Sequence, residues 1–293
     1  MGEIATWSAV KTKVGLGKDS NECPTKAELL ALSPTGTGEN YVDLEISNAS
    51  SYGNNETVQL SDIHKVTYKY TFTVDRTTLS FPASGGAPSP NPRFGLVSRK
   101  QKYVDGVISG SYTEVGSTQT AYPDWVSYNQ TVPQYEAKEN TGLVERSANM
   151  TFTQNESGKQ ITVQFTQDAG VETWEYTFTS KNNSLVFNAI GGKGTPTELT
   201  ITSNKQKYIN GKAVGSPVNV DYSRPSLPSW LSVESGYYEA LENKSESSRS
   251  YTDTLTQAES GKKLTPVLSQ AAGVKTYGTP TVYLGSIADI PAS

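Results

Sequence analysis

The chemistry open to this chain is narrow, because residues that usually carry catalysis are scarce: 293 residues hold one histidine, His64, and one cysteine, Cys23. A lone histidine rules out a two-histidine metal centre and a pair of imidazoles. A lone cysteine rules out an intrachain disulfide and a cysteine-rich metal site. His64 stands in Ser61-Asp62-Ile63-His64-Lys65, where an N-terminal segment joins the rest of the chain. A linker histidine is expected there, not a general base. A Cys23 and His64 dyad is the nucleophilic pairing to weigh against this, but Cys23 is followed by Pro24 and a helix-entry motif. No catalytic, metal-binding or cofactor-binding residue is assigned, and the ligand-binding residues stay unknown.

Carboxylates of the glycosidase type are set by three-dimensional spacing and so are not excluded by sequence. The acidic positions kept in two copies, Glu156 with Glu259 and Asp105 opposite Asn210, fall in expected turns, where a polar residue has a structural role. Gly85-Gly86 and Gly191-Gly192 lie between expected strands; they read as turn glycines, since a phosphate loop needs a helix behind it. Trp125 and Trp230 recur at one position, as core plugs or as platforms for sugar rings. Tyr112 and Tyr237-Tyr238 are read as contact-surface or ordinary strand residues.

What must position these residues is a duplicated unit. Tyr68-Lys69-Tyr70-Thr71-Phe72-Thr73 returns 106 residues later as Trp174-Glu175-Tyr176-Thr177-Phe178-Thr179. Lys100-Gln101-Lys102-Tyr103 returns after 105 residues as Lys205-Gln206-Lys207-Tyr208, and Pro123-Asp124-Trp125 as Pro228-Ser229-Trp230. Glu156-Ser157-Gly158-Lys159 returns after 103 residues as Glu259-Ser260-Gly261-Lys262. A drift this small marks loops, which tolerate insertions where paired strands do not. The chain divides into residues 1–64, a repeat over 65–170, a second over 171–273 and a tail over 274–293.

A unit of about a hundred residues with many short strands fits an immunoglobulin-like sandwich. Asp105-Gly106 and Asn210-Gly211 are two-residue hairpin turns in which both positions take positive φ. Met150, Phe152, Ile161, Val163 and Phe165 alternate with polar residues and predict two strands with one buried face each. In residues 1–64, Thr25-Lys26-Ala27-Glu28 predicts a capping box, and Tyr41–Ile46 and Thr57–Leu60 predict strands. The expected class is all-β, with two tandem sandwiches after a small α+β or mostly β domain.

Composition agrees, with 17 Tyr and 25 Gly against 2 Met. The formal charge of −4 divides unevenly, −5 over residues 1–64 and +1 over the rest. No basic cluster suits a run of phosphates, so no nucleic-acid partner is expected. No apolar stretch reaches the roughly 20 residues of a membrane span, so no insertion is expected. Met1–Ser8 runs soon into Lys11 and Lys13, so no export signal is read. The residues before Cys23 are polar, which does not suit a lipoprotein acylation site.

The motifs together resemble BACON and related immunoglobulin-like domains of Bacteroidetes and of the crAss-like phages that infect them. The residues carrying the resemblance are Leu79–Gly86, Ser203-Asn204, Pro228–Val233, Glu242-Asn243 ahead of Arg249-Ser250, and the closing runs Phe165–Gly170 and Leu268–Gly273. Val14–Gly17, Asn21–Glu28 and Val58–Ile63 resemble a segment at the head of structural proteins in such phages. The resemblance implies a non-enzymatic virion protein, a capsid-decorating or head-fibre component. It implies attachment to capsid or other virion proteins through residues 1–64, homo-oligomerisation, and contact with host-surface or mucin glycans. The alternative it leaves is a secreted, extracellular bacterial glycan-binding protein. The tail, beginning Val274-Lys275-Thr276-Tyr277 like a third unit, is expected to complete a sheet edge, of this chain or of a neighbouring one.

Overall fold

The computed structural model describes residues 2–88, 92–234 and 236–278. The chain is all-β apart from short helices, and it divides into two compact units, Met1–Val171 and Glu172–Ser293. Of the tail, Val274–Gly278 has no regular structure, and the expected further strand from residue 279 onward lies outside the described residues.

The first unit opens with two helices, α1 (Trp7–Val14) and α2 (Lys26–Leu30). The α2 capping box forms as expected: Thr25 Oγ1 accepts from the Glu28 amide at 3.2 Å, and the Thr25 amide donates to Glu28 Oε2 at 2.8 Å. Helix α1 is not expected from the sequence. Thr6 Oγ1 caps it by accepting from the Ala9 amide, and Gly15 ends it at φ 79° with its amide on the Lys11 carbonyl. Eight residues are too few to hold a helix in water; packing holds this one, through Trp7, Val10 and Val14 against Leu29, Ile46, Val58 and Ile63.

Strands β1 (Asp43–Ile46), β2 (Ile63–Val74), β3 (Thr78–Phe81), β4 (Leu96–Val104), β5 (Val107–Ile108), β6 (Thr113–Glu114), β7 (Ser117–Gln119), β8 (Val126–Asn129), β9 (Gln134–Ala137), β10 (Arg146–Gln154) and β11 (Gln160–Gln167) complete this unit. One sheet runs β1-β2-β4-β5 with β6 on β4, the facing one β3-β11-β10-β7, and β8 and β9 form a hairpin. Strand β3 lies parallel to β11. One expectation is corrected. Thr57–Leu60 makes only single bridges, Thr57 to Thr25 and Gln59 to Ile4, because its partners are two separate stretches and no ladder can extend. The boundary at residue 64 falls inside β2, whose first residues pair with β1, so the N-terminal segment continues the sheet of the first sandwich.

The alternation read in β10 and β11 is the core: Met150 opposes Val163 and Phe152 opposes Ile161, packed with Phe72, Phe81, Phe94 and Tyr135. A buried polar side chain crosses the sandwich. Gln154 is fully buried, and its Nε2 donates to the Thr71 carbonyl and to Ser98 Oγ, both at 3.1 Å. Leaving those groups unpaired would cost about 1–3 kcal/mol each.

The second unit repeats this plan in β12 (Glu172–Ser180), β13 (Ser184–Phe187), β14 (Gly192–Glu198), β15 (Ile201–Ile209), β16 (Lys212–Asn219), β17 (Tyr222–Ser223), β18 (Leu231–Glu234), β19 (Tyr237–Ala240), β20 (Arg249–Thr252), β21 (Leu255–Gln257), β22 (Lys263–Leu264) and β23 (Val267–Gln270). Gln257 repeats the role of Gln154, donating to the Thr177 carbonyl and Ser203 Oγ at 3.0 Å. The unbroken β10 of the first unit is here divided into β20 and β21. Where the first unit pairs Met150 with Val163, the second has Asp253 and Pro266. Pro266 has no amide to give the ladder, and Asp253 turns its carboxylate to the Tyr238 hydroxyl at 2.6 Å.

Candidate interaction face

His64 lies at the start of β2 and is not paired with Cys23, which is exposed and free. Its Nδ1 is 2.6 Å from Asp105 Oδ2 and its Nε2 3.1 Å from Ser47 Oγ. Asp105 also accepts from the Lys65 amide at 2.8 Å through Oδ1, and its own amide donates to the Lys65 carbonyl. The group fastens the β4–β5 turn to β2. Burial raises the Asp105 pKa, but the His64 ring and the Lys65 amide outweigh it and hold the carboxyl below its ordinary value. Asp105 (φ 49°) with Gly106 (φ 81°), and Asn210 (φ 50°) with Gly211 (φ 77°), are the positive-φ turns that the sequence predicts.

The two repeated tryptophans are plugs. Trp125 meets Phe81 edge-on, with centroids 6.1 Å apart, and Trp230 meets Phe187 at 6.5 Å. Guanidinium groups cover their faces, Arg146 at 4.8 Å and Arg249 at 4.6 Å, where a sugar ring would have to stack. Each arginine donates from Nε to a buried glutamine, Gln167 or Gln270, at 2.8 Å. Asn140 and Asn243 tie the next loop by donating to two backbone carbonyls each. The paired glycines are likewise structural: a Cβ on Gly85 would stand 2.6 Å from the Ala137 carbonyl oxygen, and one on Gly191 2.4 Å from that of Ala240. Tyr238 is buried, and Tyr112 lies under Arg99 at 4.0 Å.

The repeats Lys-Gln-Lys-Tyr and Glu-Ser-Gly-Lys, far apart in sequence, meet on one outer face. In the first unit Glu156 accepts from the Tyr70 hydroxyl at 2.9 Å and from Lys100 Nζ at 2.7 Å, and Lys100 lies 4.8 Å over the Tyr68 ring. In the second unit Glu259 accepts from Tyr176 at 3.1 Å and Lys205 at 2.6 Å, and Lys205 lies 4.9 Å over Trp174. Lys100 holds the Glu156 carboxyl below its ordinary range, and Lys205 does the same for Glu259. Burial first, then the carboxylate, pushes the Tyr70 and Tyr176 hydroxyls up. Gln101, between the two outward lysines, turns inward and ties the hairpin through the Gly110 carbonyl. The signal for this face is present in the sequence, as charged residues retained in both copies, but not its assembly.

In the first unit the face is covered. The loop Gly36–Tyr41, closed by paired amide-to-carbonyl bonds between Thr35 and Val42 at 2.9 and 2.8 Å, lies across it. Gly38, buried at φ 54°, packs so closely that a Cβ would stand 3.1 Å from Ser157 Cα. Glu39 accepts from Lys159 Nζ at 2.8 Å and from the Tyr70 amide at 3.4 Å, and Tyr41 meets Tyr68 with centroids 5.8 Å apart. A cavity of about 380 Å³ remains between this loop and Tyr68, Tyr70, Lys100 and Glu156. A second, larger cleft of about 610 Å³ opens in the same unit among Phe94, Tyr122, Tyr128, Tyr135, Arg93 and Gln119.

Among the described residues, no three His, Cys, Asp or Glu side chains converge as a metal ion would require. No helix there is long and apolar enough to cross a membrane. No protein-family model and no curated protein matches the chain. Among solved structures it is similar to human protocadherin-24 EC1-2, at 13% identity over 69% of this chain and 98% of that one, with a TM-score of 0.23. It is similar also to the protocadherin gamma B4 extracellular domain, at 8% identity over 82% of this chain and 44% of that one, with a TM-score of 0.25. Scores of this size carry no argument about function.

Proposed function

We propose that this chain is a non-enzymatic virion structural protein of a Bacteroidetes-infecting phage, a capsid-decorating or head-fibre component that displays immunoglobulin-like modules. The observation that supports the reading most is the treatment of the duplicated face. The N-terminal segment is built into the first sandwich and seals that face, while among the described residues the second sandwich carries the same face without such a cover. This difference between the units supports an attachment role for the N-terminal segment and a partner-binding role for the second module. The polar side chains that recur between copies are committed to folding: Gln154, Gln167, Asn140 and Arg146 all bond within the sandwich. Cryo-electron microscopy of particles from the source phage or cell tests the proposal. The expected outcome is ordered density with residues 1–64 against the particle surface; clean particles that lack the chain would remove the virion reading.

A second reading, a secreted glycan-binding protein, draws on the aromatic cleft at Tyr122, Tyr128 and Tyr135, where Arg93 and Gln119 supply polar contacts of the kind that fix a sugar. On that reading a glycan array lights up with the wild-type chain and fades with Tyr122→Ala, by about 1 kcal/mol of lost ring contact.

A further inference from the structure

Lys262 stands where the first unit has Lys159, in a turn of the same construction: Gly261 donates to the Gln257 carbonyl as Gly158 does to Gln154, and Gln257 to Lys262 as Gln154 to Lys159. Lys159 holds a carboxylate, that of Glu39. Lys262 donates to the Tyr176 carbonyl, and among the described residues no carboxylate reaches it. The neighbouring lysines are satisfied, Lys205 by Glu259 and Lys207 by Glu172, each at 2.6 Å. Among the described residues the excess positive charge of the face therefore sits at Lys262. Beside it, Trp174 is 39% exposed where its counterpart Tyr68 is covered by Tyr41.

The backbone is also ready. Among the described residues β12 is the edge of its sheet, ordered β12-β15-β16. Tyr176 sits opposite Lys205 as Tyr70 sits opposite Lys100, and in the first unit that register turns the tyrosine amide outward to Glu39. An edge strand with an outward amide is a site for another chain to bind.

We infer that the outer face of β12 and the Glu259–Lys262 turn is a docking site for a glycine-flanked acidic turn of a partner protein. The partner repeats in trans what Gly38-Glu39 and Tyr41 do within the first unit. A carboxylate bonds Lys262 and the Tyr176 amide, a glycine lies flat on Ser260, and an aromatic ring meets Trp174. Charge complementarity favours this occupant over a neutral ligand, because the Lys262 ammonium meets no carboxylate among the described residues. The chain's own loop is not the occupant, since it is engaged on the first unit. The inference stands on the two faces and not on the virion setting, so particles lacking the chain would leave it untouched.

The probe is a synthetic peptide of residues 33–44 closed by a disulfide between Thr35→Cys and Val42→Cys, positions whose mutual hydrogen bonds put them within disulfide reach. It is titrated into the full chain by calorimetry, with the Tyr176 amide followed by NMR. Saturable binding at one peptide per chain is expected, with the Tyr176 amide shifting, weakened about fivefold by Lys262→Ala or by Glu39→Gln in the peptide. Lys159→Ala in the protein should leave it unchanged. No binding up to about 1 mM peptide overturns the inference. So does loss on Lys159→Ala instead of Lys262→Ala, which would put the peptide on the first unit. Saturable binding of neutral oligosaccharides with the same dependence on Lys262 would replace the acidic turn with a carbohydrate.

Discussion

Glu39 shows how much one charged side chain decides in this molecule. The Lys159 ammonium first, then the Tyr70 amide, holds its carboxyl below the ordinary value. A group whose folded pKa is depressed adds stability that is full above the unfolded value and is lost as pH falls through the folded one. The loop Gly36–Tyr41 should therefore be held somewhat more firmly at neutral pH than in acid. The Tyr70 amide resonance, followed from neutral pH down through the carboxylate range, is expected to move in a single step that Glu39→Gln removes. A step unchanged in that variant would assign the titration to Glu156, which shares Tyr70. Both partners are half exposed, so the pair by itself contributes about 0.5 kcal/mol. The close fit of Gly38 on Ser157 supplies the geometry.

At the scale of elements, the two units differ where β10 runs unbroken and its counterpart is divided. Asp253 is fully buried; the Tyr238 hydroxyl reaches it at 2.6 Å and Arg224 at 3.9 Å. Its Oδ1 and the Arg224 Nη1 have no hydrogen-bond partner. A buried carboxylate kept this way is often no more stabilising than a packed apolar side chain. The double variant Asp253→Met with Pro266→Val gives the second unit the residues of the first and restores an amide to the ladder. It should join β20 to β21, read as slowed hydrogen exchange over residues 251–256, and leave that unit more stable than Asp253→Met alone, since both variants lose the Tyr238 bond and only the double variant regains the ladder amide. Asp253→Met alone strands the Tyr238 hydroxyl and should destabilise by about 1–3 kcal/mol. If both variants destabilise equally, the strand break is not caused by this residue pair.

For the whole molecule, the proposed setting carries its own expectation. A display protein occurs in many copies on a particle, and homo-oligomers are the rule for such components. Sedimentation of the chain across a wide concentration range is expected to show self-association; a monomer throughout would remove the oligomer from the proposal. No such association is needed to bury the cores, because each unit has its own, around Phe165 in the first and Leu268 in the second.

Much of this fold is legible in the sequence, for reasons that are local. The period-two alternation of Met150, Phe152, Val163 and Phe165 needs only the pleat of a strand to become a buried face. Asp105-Gly106 and Asn210-Gly211 need only the steric freedom of αL backbone to become hairpins, and Thr25 with Glu28 needs only one turn of helix to become a cap. The offsets of 106, 105 and 103 residues mark two homologous units without any coordinates. Helix α1 escapes because its eight residues carry too short a period, and Thr57–Leu60 misleads because Thr57 and Gln59 bridge to two different partners while Val58 and Leu60 turn to the core. The aromatic and charged face has no local signature, since Lys100 and Glu156 are 56 residues apart and only the crossing of two sheets brings them together. That the N-terminal segment seals this face in one unit, leaving Lys262 without a carboxylate among the described residues of the other, is decided by tertiary packing alone. A close approach such as Gly38 on Ser157 depends on where two remote backbones arrive, which no spacing along the chain encodes.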